Sequence, residues 1–404
     1  MKAHRLALVA ALLAAAASVI FDGCANEQQG SDAGVATTTI TTQIELQNGM
    51  RKLWTDHTTW TRVFLIDTIA GLPDAPQATR RLLQNQVDIG NAMRPFYGDV
   101  AGDQLTALLR DHITGAAAVV AAAQSGDAAR FATARTAWYA NADLIAAFLA
   151  SINQNWREPD LQALMHTHLD QTLAEANAQL THDWNGDIAA YDAVVTHILR
   201  IADTLTAGIA KQFPDSVAAT PSLSASGQSL QLAMRALWED HVTWTRVFLI
   251  DALAGLPSTP QTTRRLLQNQ VDIGNAIRPY YGDAAADQLT SLLHDHITGA
   301  AEVVAAAKAG DSVRLAKAQT AWYANADQIV ALLTNANPNW PIRGMHAAMH
   351  THLDTTLAEA VARLNHDWDG DVVAYDAVVT HILTLADLLS RGIDTQFPAG
   401  PPAH

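Results

Sequence analysis

The chain of 404 residues contains one cysteine, Cys24. No intramolecular disulfide can form, which excludes a small disulfide-stapled scaffold. Basic residues are few: 25 Lys and Arg stand against 40 Asp and Glu, for a net charge of −15. That balance argues against a nucleic-acid partner, because phosphate binding needs a basic face. Neither G-x-x-x-x-G-K-[ST] nor G-x-G-x-x-G occurs, so no glycine-rich loop is present to cradle a nucleotide. The zinc-protease pattern H-E-x-x-H and the E-x-x-H of di-iron carboxylate bundles are missing as well. Proline is sparse, with 14 residues, and runs of alternating polar and apolar residues that would mark strands are absent.

What the chain has is a copy of itself. Residues 47–214 recur as residues 231–398, in register and without a gap. Trp54 pairs with Trp238, His57 with His241, Trp138 with Trp322, His168 with His352 and Phe213 with Phe397, each 184 positions apart. A repeat of this length is a duplicated domain, not a solenoid of short units. The segment between the copies, 215–230, is rich in Ser and Ala and reads as a linker; the Ala/Gln/Ser/Gly/Thr segment 25–46 reads as a flexible tether, and 399–404 as a disordered tail.

The N-terminus reads as a targeting segment. Lys2, His4 and Arg5 precede an apolar run from Leu6 to Phe21, followed by Asp22, Gly23 and Cys24. That order matches a lipoprotein-type signal over 1–24, with Cys24 the lipidated residue. Phe21 and Asp22 depart from the usual aliphatic and small residues, and an ordinary cleaved signal or an uncleaved anchor is the alternative. The expected location is the cell envelope, with membrane contact through the N-terminal lipid. Without lipid, the location would be periplasmic or secreted.

Within copy one, apolar residues recur at three- and four-residue spacing between turn signals. Six helices are expected, over about 47–70, 76–95, 99–124, 128–151, 160–182 and 187–213. Stops fall at Gly71-Leu72-Pro73, Pro95 with Gly98, Ser125-Gly126-Asp127, Asn153 to Pro159, and Asp183 to Gly186. Copy two repeats each stop. The fold class is all-α: two tandem antiparallel helical bundles of about six helices each.

Several core seams carry polar residues. The first helix places His57 and Asp67 on the stripe of Met50, Leu53, Trp60 and Phe64. His112 lies on the stripe of Leu105 and Leu109, His168 on that of Leu161 and Leu164 with Glu175, and Asn141 on that of Trp138 and Ile145. Copy two keeps them as His241, Asp251, His296, His352, Glu359 and Asn325. If the helices alternate up and down, His57, His112 and His168 fall within about one turn of each other in height, with Asn141 in the same layer. One histidine from each of three helices is how metal sites in bundle cores are built. His57, His112, His168, His241, His296 and His352 are therefore the candidate ligands for a transition ion such as zinc, copper or iron. Asp88, Asn141, Asp272 and Asn325 are candidates for binding a ligand or supporting the histidines. The plainer reading is that buried histidines only hydrogen-bond within the core. Gln84, Asp88 and Asn91 share a face, and serve either as a polar ligand wall or as a network between helices. His182, His197, His366 and His381 are read as helix-end or flank residues. His4, His294, His346 and His404 lack a counterpart and are assigned to surface or terminal positions.

The stretches L-W-x-x-H-x-x-W-x-R at 53–62, L-L-x-N-Q-x-D-I-G at 82–90, P-x-Y-G at 95–98, W-Y-x-N-A-D at 138–143 and H-L at 168–169, through Gln212-Phe213-Pro214, resemble a bacterial family of helical-domain proteins of uncertain function. The resemblance covers both copies. It implies an envelope or secreted location, here as a tandem version, and no established activity.

Three functional readings fit. The first is a cell-envelope lipoprotein whose two bundles each bind a metal ion or small ligand through buried histidines. The second is a non-catalytic structural or protein-interaction module. The third is a metal-dependent hydrolase with an open position on a three-histidine ion. The third has least residue-level support, because spacing fixes no acid–base partner.

Overall fold

The computed structural model describes residues 41–218 and 223–402. Cys24 and the apolar segment read as a signal lie outside the described residues. By Cα proximity the described chain parts into two compact units between Pro221 and Ser222, one for each copy.

The first unit has five assigned helices: α1 (Gln43–Ala70), α2 (Ala75–Ser125), α3 (Ala128–Ile152), α4 (Glu158–Thr181) and α5 (Trp184–Gln212). The second repeats them as α6 (Ala225–Ala254), α7 (Thr259–Ala309), α8 (Ser312–Ala336), α9 (Ile342–Leu364) and α10 (Trp368–Gln396). In each unit successive helices pack on one another, and the fifth closes back onto the first. The fold class is all-α, as expected.

The fifty-one-residue helix α2 accounts for the sixth expected segment. It is not straight: Gly98 breaks it at φ 81°, ψ 171°, three residues after Pro95. Gly282 does the same in α7, at φ 78°. That conformation is open to glycine and costly for other residues. The two arms fold back on each other. A Cβ placed on Gly90 would lie 2.7 Å from Gly102 O and 2.0 Å from Thr106 Oγ1. On a straight helix, residues twelve apart would be about 18 Å apart. The first arm packs on α1, where Asn85 Nδ2 donates to Leu53 O at 2.9 Å, and the second on α3, where Asn141 Nδ2 donates to Leu108 O at 3.1 Å.

Two elements depart from the sequence reading. Residues 41–46 are ordered, not tether. Thr41–Thr42 form a short strand, β1, parallel to Val217–Ala218, β2, in what was expected to be linker. Thr42 then caps α1 in a capping box: its hydroxyl accepts from Glu45 N at 3.2 Å, and Glu45 Oε2 accepts from Thr42 N at 2.8 Å. The ladder escaped the sequence reading because two residues carry no periodicity. The linker is also shorter than expected, since α6 starts at Ala225, capped by Ser224.

Among the described residues three helices, α2, α5 and α10, reach the length and hydropathy of a membrane span by composition alone. Each uses its apolar face in the core of its own unit. Buried Asp187 and Asp371, in the first turns of α5 and α10, are paired there with arginine.

Candidate metal centre

Helix α1 brings His57, the second arm of α2 brings His112, and α4 brings His168 to one point in the first unit, each about 2% exposed. His57 Nε2 and His168 Nε2 are 3.4 Å apart. One ligand-capable atom from each of the three lies within 4.8 Å of the others. Nitrogens on a tetrahedral zinc with bonds of about 2.0–2.1 Å are separated by about 3.3–3.4 Å. One pair is already at that spacing. The convergence expected from helix heights is present.

The second unit places its rings similarly, with centroids at 5.5 Å for His241–His352 and 6.2 Å for His296–His352 against 5.4 and 5.9 Å in the first, but among the described residues only the first unit's triad brings its ligand atoms within 4.8 Å. Tryptophans close the layer. Trp138 lies over His112 at 5.3 Å, and Trp54 sets its edge on His57 at 5.9 Å.

Burial sets the charge state. It pushes His57 down to about 3, helped by His112, and His112 down to about 4, with Asn141 partly opposing. His168 falls well below its ordinary value through burial and then the neighbouring His57, His112 and His197. His241, His296 and His352 follow the same pattern. All six are neutral at pH 7, the form that ligates metals.

The second N of each ring has a distinct environment. Asn141 gives its amide N–H to Leu108 O, so its Oδ1 is left to accept from His112 Nδ1–H at 3.2 Å. That fixes the His112 tautomer with a lone pair on Nε2. Asn325 does the same for His296 at 2.9 Å. Gln86 Nε2 stands 3.4 Å from His57 Nδ1 while donating to Leu82 O at 2.9 Å and Asn85 Oδ1 at 3.2 Å. Gln86 Oε1 and His168 Nδ1 are buried without a hydrogen-bond partner. The two amide hydrogens are shared among these three acceptors; when one is turned to His57 Nδ1, the proton of His57 sits on Nε2, aimed at His168. A half-turn of the amide would present Oε1 instead and move that proton to Nδ1, clearing Nε2 for an ion.

A cavity of about 20 Å³ opens beside the three rings of the first unit, among Phe64, Leu65, Leu82, Ile113 and Val119. It has room for about one water molecule.

Of the four expected supporting residues, Asn141 and Asn325 reach the histidines. Asp88 and Asp272 do not. Asp88 is on the outer face, 36% exposed, accepting from Gln84 at 3.0 Å and lying 3.8 Å from Arg81; Asp272 accepts from Gln268 at 3.0 Å. The face of Gln84, Asp88 and Asn91 points outward because their neighbours Asn85, Gln86 and Ile89 take the inner side. The residue of this helix that does reach the histidines is Gln86, 1% exposed and 3.4 Å from His57 Nδ1, which the sequence shows only as part of the L-L-x-N-Q-x-D-I-G stretch. His197 is also corrected: it is buried and bonds to Leu164 O at 2.8 Å.

A second polar layer lies five residues along α1 from His57. Arg62, 1% exposed, gives Nη1 to Glu175 at 2.9 Å and Nη2 to Asp187 at 2.7 Å, and stacks on Tyr191 at 4.7 Å. The sequence reading placed Glu175 on a seam but had not given it this arginine. Burial, with Asp187 nearby, raises Glu175 above its ordinary value against the pull of Arg62. In the second unit Arg363 joins Arg246, Glu359 and Asp371, reaching Asp371 Oδ2 at 2.7 Å. The equivalent position in the first unit is Gln179.

Comparison with known proteins returned no matching family model, no matching curated protein and no matching solved structure.

Proposed function

We propose that each unit is a metal-binding bundle in which His57, His112 and His168, or His241, His296 and His352, hold one first-row transition ion. The observation that carries this is the meeting of His57 Nε2 and His168 Nε2 at 3.4 Å, in a layer with His112. A histidine kept only for packing is normally given an oxygen partner. Here ligand nitrogens face each other, one ring nitrogen is left unpartnered, and burial keeps all three rings neutral. A three-histidine ion keeps an open position. In the first unit the adjoining cavity has room for a water or another ligand of that size. Binding or carrying the ion, or a small ligand upon it, is the function this favours.

One observation favours the structural reading: Gln86 stands 3.4 Å from His57 Nδ1, and turning one of its two amide hydrogens there would let a Gln86–His57–His168 hydrogen-bond chain form without an ion. Metal analysis separates the two. Untagged protein loaded with zinc, copper or iron should retain about one ion in each unit after dialysis. His57→Ala with His241→Ala should abolish retention while circular dichroism stays helical. A wild type that retains no ion and is not stabilised by any of the three leaves the histidines as packing residues.

We extend the proposal to location. The apolar run ending at Cys24 and the motif resemblance to bacterial envelope proteins support export and a lipid anchor on that residue. Mass spectrometry of the mature N-terminus tests it: an unmodified Cys24 defeats the anchor.

A further inference from the structure

Helix α9 carries His346 and His350 four residues apart, which places both on one face. Asp327 on α8 reaches both rings. Its Oδ1 is 3.0 Å from His346 Nδ1 and 2.8 Å from His350 Nε2. One ligand-capable atom from each of the three lies within 4.8 Å of the others. Unlike the buried triad, this cluster is open to solvent: the two imidazoles and the carboxylate are 41%, 42% and 47% exposed. Tyr323 sets its ring against His350 at 5.2 Å, and its hydroxyl bonds to Asp354.

We propose that Asp327, His346 and His350 form a surface site for a divalent first-row transition ion, present in the second copy and not in the first. The position equivalent to His346 is Gln162, so the first copy keeps only the pair His166–Asp143 at 2.8 Å. The same fold is built with Gln162, so packing does not require His346. Exposed His–Asp contacts add little stability in any case. The donor set is two imidazole nitrogens and one carboxylate oxygen. Calcium and magnesium want more oxygens, and copper(I) wants sulfur. Cu²⁺, Ni²⁺ and Zn²⁺ accept this set, with Cu²⁺ bound most tightly. Ligand atoms at 2.8 and 3.0 Å match the edge of about 3 Å between ligands at right angles when bonds are about 2.1 Å, the tetragonal geometry that suits Cu²⁺ and Ni²⁺ better than tetrahedral zinc. Water completes the coordination, and the ion arrives without any opening of the bundle.

The exchange between copies supplies the test. Untagged full-length protein is titrated with Cu²⁺ or Ni²⁺ in competition with a coloured chelator, beside His346→Gln and Gln162→His. The wild type should bind one more fast-exchanging ion per chain than His346→Gln, or bind it at least about 10-fold more tightly. Gln162→His should gain one such ion, and the Cu²⁺ electron paramagnetic resonance spectrum of the wild type should show coupling to two nitrogens. Identical titrations and spectra for wild type and His346→Gln would overturn the proposal. The buried triads are unchanged in these variants. A failure there appears as the loss of slowly exchanging ions from every protein, and is distinguishable from a failure here.

Discussion

His57 and His168 meet Nε2 to Nε2 at 3.4 Å, although 111 positions separate them in the chain. Two neutral imidazoles facing in this way share at most one proton. The contact is satisfied by a proton between the rings, and in the proposed metal-bound form it would be replaced by an ion shared with His112, with the Gln86 amide 3.4 Å from His57 Nδ1 as the neighbour placed to influence which form holds.

The buried histidines make the fold sensitive to acid. Their native pKa values lie far below the ordinary 6.5, so the unfolded chain takes up protons that the native state refuses. Their contribution is complete above pH 6.5 and is lost progressively as pH falls below it, toward about 4 for His112 and about 3 for His57. Glu175 works in the opposite sense: raised above its ordinary 4.5, it takes a proton in the native state first, so that acid stabilises through it. Three protons against one leave a net uptake of two on unfolding of the first unit. Stability should therefore fall by roughly 3 kcal/mol per pH unit between about pH 6 and 4.5. Denaturant titration at a series of pH values reads this slope. A flat profile over that window contradicts the neutral triad.

Gln86→Glu should tighten metal binding. A carboxylate accepts from His57 Nδ1–H and clears Nε2, the arrangement common behind metal-bound histidines. An affinity gain on the order of 10-fold in the first unit is expected by chelator competition. Gln86→Met, which offers no acceptor, should not show it. Equal affinities in the two variants would mean that the amide does not gate the site.

The two ion layers differ by one arginine. Arg363→Gln should destabilise the second unit by about 1–3 kcal/mol, because Asp371 loses a buried charged partner. Gln179→Arg should move the first unit in the opposite direction. Scanning calorimetry of the full chain follows both. Arg62→Met is expected to cost more, about 3–5 kcal/mol, since it strands buried Asp187 without its cation and leaves Glu175 without its donor.

Gly90→Ala should destabilise the first unit by about 1–3 kcal/mol, because the added methyl meets Gly102 O and Thr106 across the hairpin of α2. Gly274→Ala should act similarly, against Thr290 and Ala286 O. Thermal unfolding of each variant is the measurement, and an unchanged midpoint would mean that the arms do not pack this closely.

Residues 41–218 expressed alone should be helical and unfold in one cooperative step, with Thr41 paired to Val217. An aggregated or molten fragment would falsify the independence of the first copy.

The sequence by itself determined the duplication, the all-α class, most helix ends and the histidines on core seams. These follow from local chemistry. Periodicity of 3.6 residues, glycine at φ 67° in Gly71 and 81° in Gly98, and Asp127 and Asp183 as caps are properties of short segments. Even the layer of His57, His112 and His168 was legible, because antiparallel helices of similar length put equal offsets at equal heights. Tertiary structure decided which neighbours serve that layer. Gln86 and Asp88 are two residues apart, and only the rotation of α2 against α1 sends the amide inward and the carboxylate to solvent. It also paired Arg62 with Glu175 and Asp187, and joined Thr41 to Val217, contacts between segments more than a hundred residues apart. His346 shows the same limit. With no counterpart it read as a surface residue, which it is, but only the packing of α8 on α9 brings Asp327 between it and His350. Helical spacing is written locally in the chain, whereas the rotation of one helix against another is set by the packing of the whole core.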